Sequence, residues 1–250
     1  MAAQATTVDV PTSDGVADAV FAAPDDGSPH PGVLLYTDAF GLRPQIEQMC
    51  ARLAEAGYAV LAPNVFYRSG RAPVVELGDL KDGGRSGVFG KLRPHMNALT
   101  PPLAMRDADA YLDYLAKDDR VSEGPVGTVG YCMGGALALR TAAHAPARVA
   151  AVASFHGGRL ATDAEDSPHR GFGSIQAEVY IAHADKDGSM TPEMQRTVAE
   201  ALGAAGVHHT VELYRGATHG FTMADTAAHD ARAEQRHWDA LLDLFGRTLR

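Results

Sequence analysis

Cys132 sits in the run Gly130-Tyr131-Cys132-Met133-Gly134-Gly135. It follows Pro125-Val126-Gly127-Thr128-Val129 and precedes a small-residue stretch from Gly135 to Leu139. This spacing predicts a strand, a tight Gly-x-Cys-x-Gly turn and a helix start, the layout of a nucleophile elbow with a thiol as the nucleophile. Glycines flank the cysteine because such a turn is strained and its helix must approach the strand closely. The helix would aim its first N–H groups at the sulfur and so favour the thiolate, the nucleophilic form.

A nucleophile of this kind needs a base, and the base an orienting acid. After an elbow they follow in the order acid, then histidine. His219, in Gly216-Ala217-Thr218-His219-Gly220-Phe221, follows the last predicted strand and has the glycine neighbours expected of a loop base. The acid has two candidates in His183-Ala184-Asp185-Lys186-Asp187-Gly188. The small-x-x-Asp pattern from Ala184 favours Asp187, with Asp185 as the competitor and a turn or capping role for the loser. The oxyanion hole is expected from the backbone N–H of Met133 and from a second N–H near Ala39, in the turn after the third strand. Asp38 in that turn is either a carboxylate that modulates the thiol or a turn residue bonding its own backbone. Cys50 lies on the apolar face of a helix and reads as a buried, inert thiol.

The elements that must position these groups alternate between strand and helix. The expected class is α/β, an α/β-hydrolase fold with a mainly parallel central sheet and helices on both faces. Thr6 to Val10 and Val16 to Ala22 read as an antiparallel pair around Ser13-Asp14-Gly15. Gly32 to Tyr36, Tyr58 to Ala62, Val149 to Phe155, Ala177 to Ala182 and Thr210 to Tyr214 read as further strands. Ile46, Met49, Cys50 and Leu53 fall at helical spacing in a segment closed by Gly57. Pro102 to Ala116 predicts another helix. Thr191-Pro192 is a helix start with Thr as cap, and Trp238, Leu241, Leu242 and Phe245 mark the apolar face of the last helix. Residues 157–175 read as a loop. Residues 68–101 carry Arg68, Arg71, Lys81, Arg85, Lys91 and Arg93 without a firm period. They predict an irregular or partly helical excursion that could serve as a lid.

The chain has 250 residues, a net charge of −9 and two cysteines. That length fits a single domain spanning 1–250 with a sizeable core. No basic stripe appears, so no nucleic-acid partner is expected. No apolar run reaches membrane-spanning length, so no membrane partner is expected either. The first twenty residues lack Lys and Arg and lack an apolar run, so no secretory signal is expected. Two cysteines in such a chain read as reduced thiols in the cytoplasm. No His-Glu-x-x-His or comparable spacing occurs, and His208-His209 would point to opposite faces of a strand, which argues against a metal hydrolase.

Together the segments Tyr36-Thr37-Asp38-Ala39-Phe40-Gly41, Gly57 to Asn64, Val129 to Gly135 and Gly216 to Phe221 resemble the dienelactone hydrolase (carboxymethylenebutenolidase) family, from about residue 6 to the C-terminus. The resemblance implies an α/β-hydrolase fold, no cofactor, and hydrolysis of a cyclic enol-lactone or activated ester through a thioester intermediate. The implied triad is Cys132, Asp187 and His219. The implied partner is a small-molecule ester or lactone, bound by a monomer or small homo-oligomer. A broader esterase or thioesterase, or a non-catalytic binding protein on the same fold, is the alternative. Reference members of the family carry a glutamate where this chain has Asp38, and a substrate-binding arginine where it has Met223. Arg43, Arg85, Arg93 and Arg159 are candidate replacements for that cation. Tyr131, His156 and Arg159 are the expected substrate contacts, because ligands of α/β proteins bind beyond strand C-terminal ends.

Overall fold

The computed structural model describes residues 5–78, 80 and 85–250. The chain divides into two compact units, residues 1–124 and 125–250.

In the first unit, β1 (Thr6–Thr12) and β2 (Gly15–Ala22) form a hairpin closed at Thr12 and Gly15. β2 pairs antiparallel with β4 (Ala59–Pro63), and β4 pairs parallel with β3 (Gly32–Tyr36), giving the order β1-β2-β4-β3. Every residue of β3 and β4 is buried, as expected of apolar runs in strands covered on both faces. Helix α1 (Pro44–Glu55) buries Ile46, Met49, Cys50 and Leu53, the stripe read from the sequence. Residues 68–101 are not irregular throughout. They contain α2 (Arg85–Ala98), whose Val88 and Leu92 pack one turn apart against Phe40 and Leu80. Gly87, Gly90 and Pro94 hide this helix in the sequence, because each weakens helix propensity. Its two apolar anchors supply by packing what propensity lacks. Lys81 lies outside the described residues, as does the side chain of Arg85. Helix α3 (Pro101–Lys117) follows and buries Ala104, Ala108, Tyr111, Leu112 and Leu115.

In the second unit, β5 (Val126–Tyr131), β6 (Val149–Phe155), β7 (Glu178–Lys186) and β8 (His209–Thr218) run parallel in that order. Helix α4 (Met133–His144) follows β5, α5 (Pro192–Ala204) follows β7, and α6 (Ala231–Thr248) closes the chain. Thr128 donates to the carbonyl of Ala138 in α4, while a Cβ on Gly127 would lie 2.7 Å from the Phe245 ring of α6. Successive strand residues point to opposite faces, so α4 and α6 cover opposite faces of this sheet. On α6, Leu244 joins Trp238, Leu241 and Phe245 in the core, and Leu242 is only half-buried.

Strands β7 and β8 run past their predicted ends. Pairing continues through Ala184↔Tyr214 and, after a bulge, Lys186↔Thr218. A 3-10 turn, Pro168–Ser174, also interrupts the loop predicted over 157–175. Among the described residues, no helix is long and apolar enough to cross a membrane.

Candidate active site

The elbow is strained and tightly packed. Cys132 stands between β5 and α4 at φ 54°, ψ −117°, a left-handed backbone that costs a non-glycine residue roughly 1–3 kcal/mol. A Cβ on Gly130 would lie 1.9 Å from the Gly134 carbonyl oxygen, so only glycine fits there. One on Gly135 would lie 2.3 Å from Ser154 Oγ and 3.0 Å from Gly157 Cα. The cysteine is fixed through its backbone. Its N–H donates to Phe155 O at 3.2 Å, and its carbonyl accepts from Gly135 and Gly158. The side chain is half-buried.

The continued pairing of β7 and β8 explains how the other two groups meet. Lys186 and Thr218 are register partners, and the His219 N–H donates to Lys186 O at 3.2 Å. The residues that follow, Asp187 and His219, therefore leave the sheet side by side. Asp187 Oδ2 lies 2.7 Å from His219 Nδ1. The Cys132 side chain lies close enough to the His219 ring to raise its basicity; with Nδ1 facing Asp187, Nε2 is the nitrogen left to serve the sulfur. Asp185 is elsewhere. It is exposed on the strand and accepts the Gly216 N–H at 2.8 Å, so its carboxylate fixes a turn.

Burial lowers the basicity of His219, but the Asp187 carboxylate and the Cys132 thiol override it and raise the imidazole to about 10. Burial works against ionisation of Asp187 too, yet His219 and two donors from Ser189 hold its carboxyl below the usual value. Those donors are the Ser189 N–H, at 2.8 Å, and its hydroxyl, at 2.6 Å, both to Oδ1. Ser189 escaped the sequence reading. The Asp-x-Ser spacing, which lets a carboxylate cap the N–H two residues on, was the available signal. His183, buried in β7, is held down to about 4 by burial despite the Asp187 charge, so at neutral pH it is an uncharged neighbour of the acid.

The loop after β6, residues 156–159, wedges between these parts. A Cβ on Gly157 would lie 2.4 Å from Ser154 Oγ, and one on Gly158 would lie 2.7 Å from Ser189 Oγ and 3.8 Å from His219 Cε1. His156 and Arg159 flank the two glycines at φ 40° and φ 55°. With Cys132 they are the non-glycine residues at positive φ among the described residues.

Two expected substrate contacts have enclosed side chains. Tyr131 is fully enclosed; its hydroxyl meets His237 Nε2 at 2.9 Å and its ring stacks on Phe155. His156 is equally enclosed and lies against the His219 ring. Their side chains pack the site from behind because β5 and β6 end beneath α6 and the His219 loop. Arg159 is exposed and lines a cavity of about 590 Å³ together with His169, Arg170, Thr191 and Met194. Met223 is a core residue, 1% exposed.

Asp38 and Ala39 belong to the first unit. The Asp38 carboxylate receives both guanidinium nitrogens of buried Arg43, at 2.7 and 3.0 Å, and the Phe40 N–H. That ion pair accounts for its burial and occupies Arg43 as a cation. Ala39 is buried in the same turn. Arg93 is exposed on α2. Cys50 is fully buried, and burial pushes its thiol far above the ordinary range, as expected of an inert sulfur.

A family model for the dienelactone hydrolase family matches residues 17–249. A carboxymethylenebutenolidase from Rhodococcus opacus is 29% identical over 91% of this chain and 85% of its own. A dienelactone hydrolase-like promiscuous phosphotriesterase from metagenomic libraries is 29% identical, with a TM-score of 0.78 over the whole of both chains. The dienelactone hydrolase of Anabaena variabilis, 18% identical, superposes with a TM-score of 0.70 over both full lengths and so shares the fold. The match across 17–249 and the shared α/β-hydrolase fold identify this chain as a hydrolase of the dienelactone hydrolase family.

Proposed function

We propose that the protein cleaves an activated ester or a cyclic enol-lactone with Cys132 as nucleophile, His219 as acid and base, and Asp187 as the orienting acid. The observation that carries this reading is the relay within one unit: His219 held by Asp187 at 2.7 Å and brought beside the Cys132 side chain. With His219 raised to about 10, the imidazole is charged at neutral pH and carries the proton the departing oxygen needs. The sulfur attacks the carbonyl carbon and the C=O π pair moves onto oxygen. The Met133 N–H, at the start of α4, is one donor for that oxyanion. Collapse breaks the acyl C–O bond, and His219 gives its proton to the departing oxygen, leaving a thioester. Water then attacks the thioester carbonyl as His219 takes one of its protons, and collapse returns the thiolate.

A thiolate is itself a good leaving group, so the first tetrahedral intermediate goes forward only when the substrate's leaving group is better. Enolates and aryl oxides meet that condition and amines do not. Arg159, at the rim of its cavity, is the residue we assign to an anionic group on the substrate, in the place of the arginine that Met223 replaces. Turnover of an aryl ester by Cys132→Ala is the test: it should vanish, and full activity would overturn the mechanism.

A further inference from the structure

We infer that His156 and Thr222 form a positioning pair that sets the plane of the His219 ring. The inference rests on the reading of His219 as the base. His156 leaves β6 at φ 40°, its N–H bound to Ala182 O at 2.8 Å, and its side chain is completely buried. Its Nε2 lies 2.8 Å from Thr222 Oγ1. Its ring meets the His219 ring nearly edge-on, with centroids 5.2 Å apart at 65°, and the Phe221 ring at 5.0 Å and 79°. Thr222 is also fully buried and lies three residues past His219, in a loop fixed by Phe221 N–H to Thr218 O and Met223 N–H to Gly220 O. The hydrogen bond therefore ties the loop after β6 to the loop that carries the base, and the tied ring is the surface His219 rests on.

Asp187 holds His219 at an edge atom of its ring, Nδ1. Small tilts of the imidazole plane are then limited by what packs against the ring. The edge contact from His156 supplies this stop, and Thr222 holds His156 in place. A phenylalanine could fill the same space, but it could not bond Thr222 and would tolerate φ 40° poorly. Histidine is among the residues that accept this backbone. During turnover His219 Nε2 must serve the sulfur, the leaving oxygen and then water, so a small tilt of its plane is costly.

The test uses Thr222→Val, Thr222→Ser, His156→Asn and Cys132→Ala in the full chain, with an aryl ester as probe. Steady-state constants, the pH profile of kcat/KM and melting temperature are read for each. The groups facing His219 are Cys132, Asp187, Ser189 and His156, with His183 behind the acid, and all but those substituted stay intact. Thr222→Val should lower kcat about tenfold with KM changed less than about twofold, and should shift the limb of the pH profile assigned to His219. Thr222→Ser should restore kcat to within about twofold. His156→Asn should lose at least as much as Thr222→Val, and His156→Asn combined with Thr222→Val no more than His156→Asn alone, because both act through one contact. Wild-type kcat and pH profile in Thr222→Val would overturn the inference. So would a loss that follows melting temperature and is not recovered by Thr222→Ser. Activity in Cys132→Ala would instead remove the reading on which it rests; an inactive Cys132→Ala beside an unaffected Thr222→Val removes the inference alone.

Discussion

Asp187 reaches His219 because their strands stay paired to the last residue before each of them. Lys186 and Thr218 are register partners, and the two side chains beyond them close to 2.7 Å. The acid's other oxygen is held by the Ser189 hydroxyl and N–H, so the carboxylate is fixed from both sides.

Ser189→Ala should therefore weaken the reaction without touching the nucleophile. It removes a hydroxyl bonded to a charged, buried oxygen, an interaction worth about 1.5–3 kcal/mol. We expect kcat to fall about tenfold or more, with the melting temperature lowered by a few degrees. Steady-state kinetics and a thermal melt on the purified variant decide it; an unchanged kcat contradicts the assignment.

The raised His219 sets the pH behaviour. In the proposed mechanism its proton goes to the leaving oxygen, so kcat/KM should hold through neutral pH and fall as pH rises through about 10. In Asp187→Asn the carboxylate that raises the imidazole is gone, and that limb should move to lower pH. The stability effect has the same sign. A folded-state value above the unfolded 6.5 stabilises the protein fully below that pH, and the contribution is lost as pH rises towards 10. The melting temperature should thus drop more between those limits in the wild type than in Asp187→Asn.

Gly158→Ala tests the wedge between acid and base. A methyl there meets Ser189 Oγ at 2.7 Å and approaches His219 Cε1 at 3.8 Å. The serine can rotate away, so the fold should survive while kcat drops. Gly130→Ala, where the obstacle is backbone oxygen at 1.9 Å, should instead fail to give soluble folded protein.

The turn at Cys132, the histidine His219 and the aspartates Asp185 and Asp187 were legible in the sequence because each depends on local order: a strand, a glycine-bounded turn, then one reactive residue. That Asp187 rather than Asp185 lies beside His219 depends on the register of β7 against β8, a long-range property. Tyr131 and His156 stand at strand ends, as expected, but their side chains are buried by packing against His237 and the His219 ring, far away in the chain. Helix α2 was hidden because Gly87, Gly90 and Pro94 erase the local signal, and only packing of Val88 and Leu92 restores it.

Arg159→Ala separates substrate selection from chemistry. The residue is exposed, sits at φ 55° and borders the cavity of about 590 Å³. KM for a carboxylate-bearing ester or lactone should rise about tenfold, equivalent to about 1.4 kcal/mol, while a neutral aryl ester of the same leaving group is unaffected. Equal effects on both substrates would remove Arg159 as the anion contact.

The central claim is a covalent bond between substrate acyl group and Cys132. Rapid acid quench of the enzyme with an aryl acetate, followed by intact and peptide mass spectrometry, measures it directly. An acetyl group on the peptide containing Cys132, released by hydroxylamine and absent from the Cys50 peptide, is the predicted result. An enzyme that turns over the ester with no acyl group on Cys132 at any quench time, and keeps that activity as Cys132→Ala, would contradict the account.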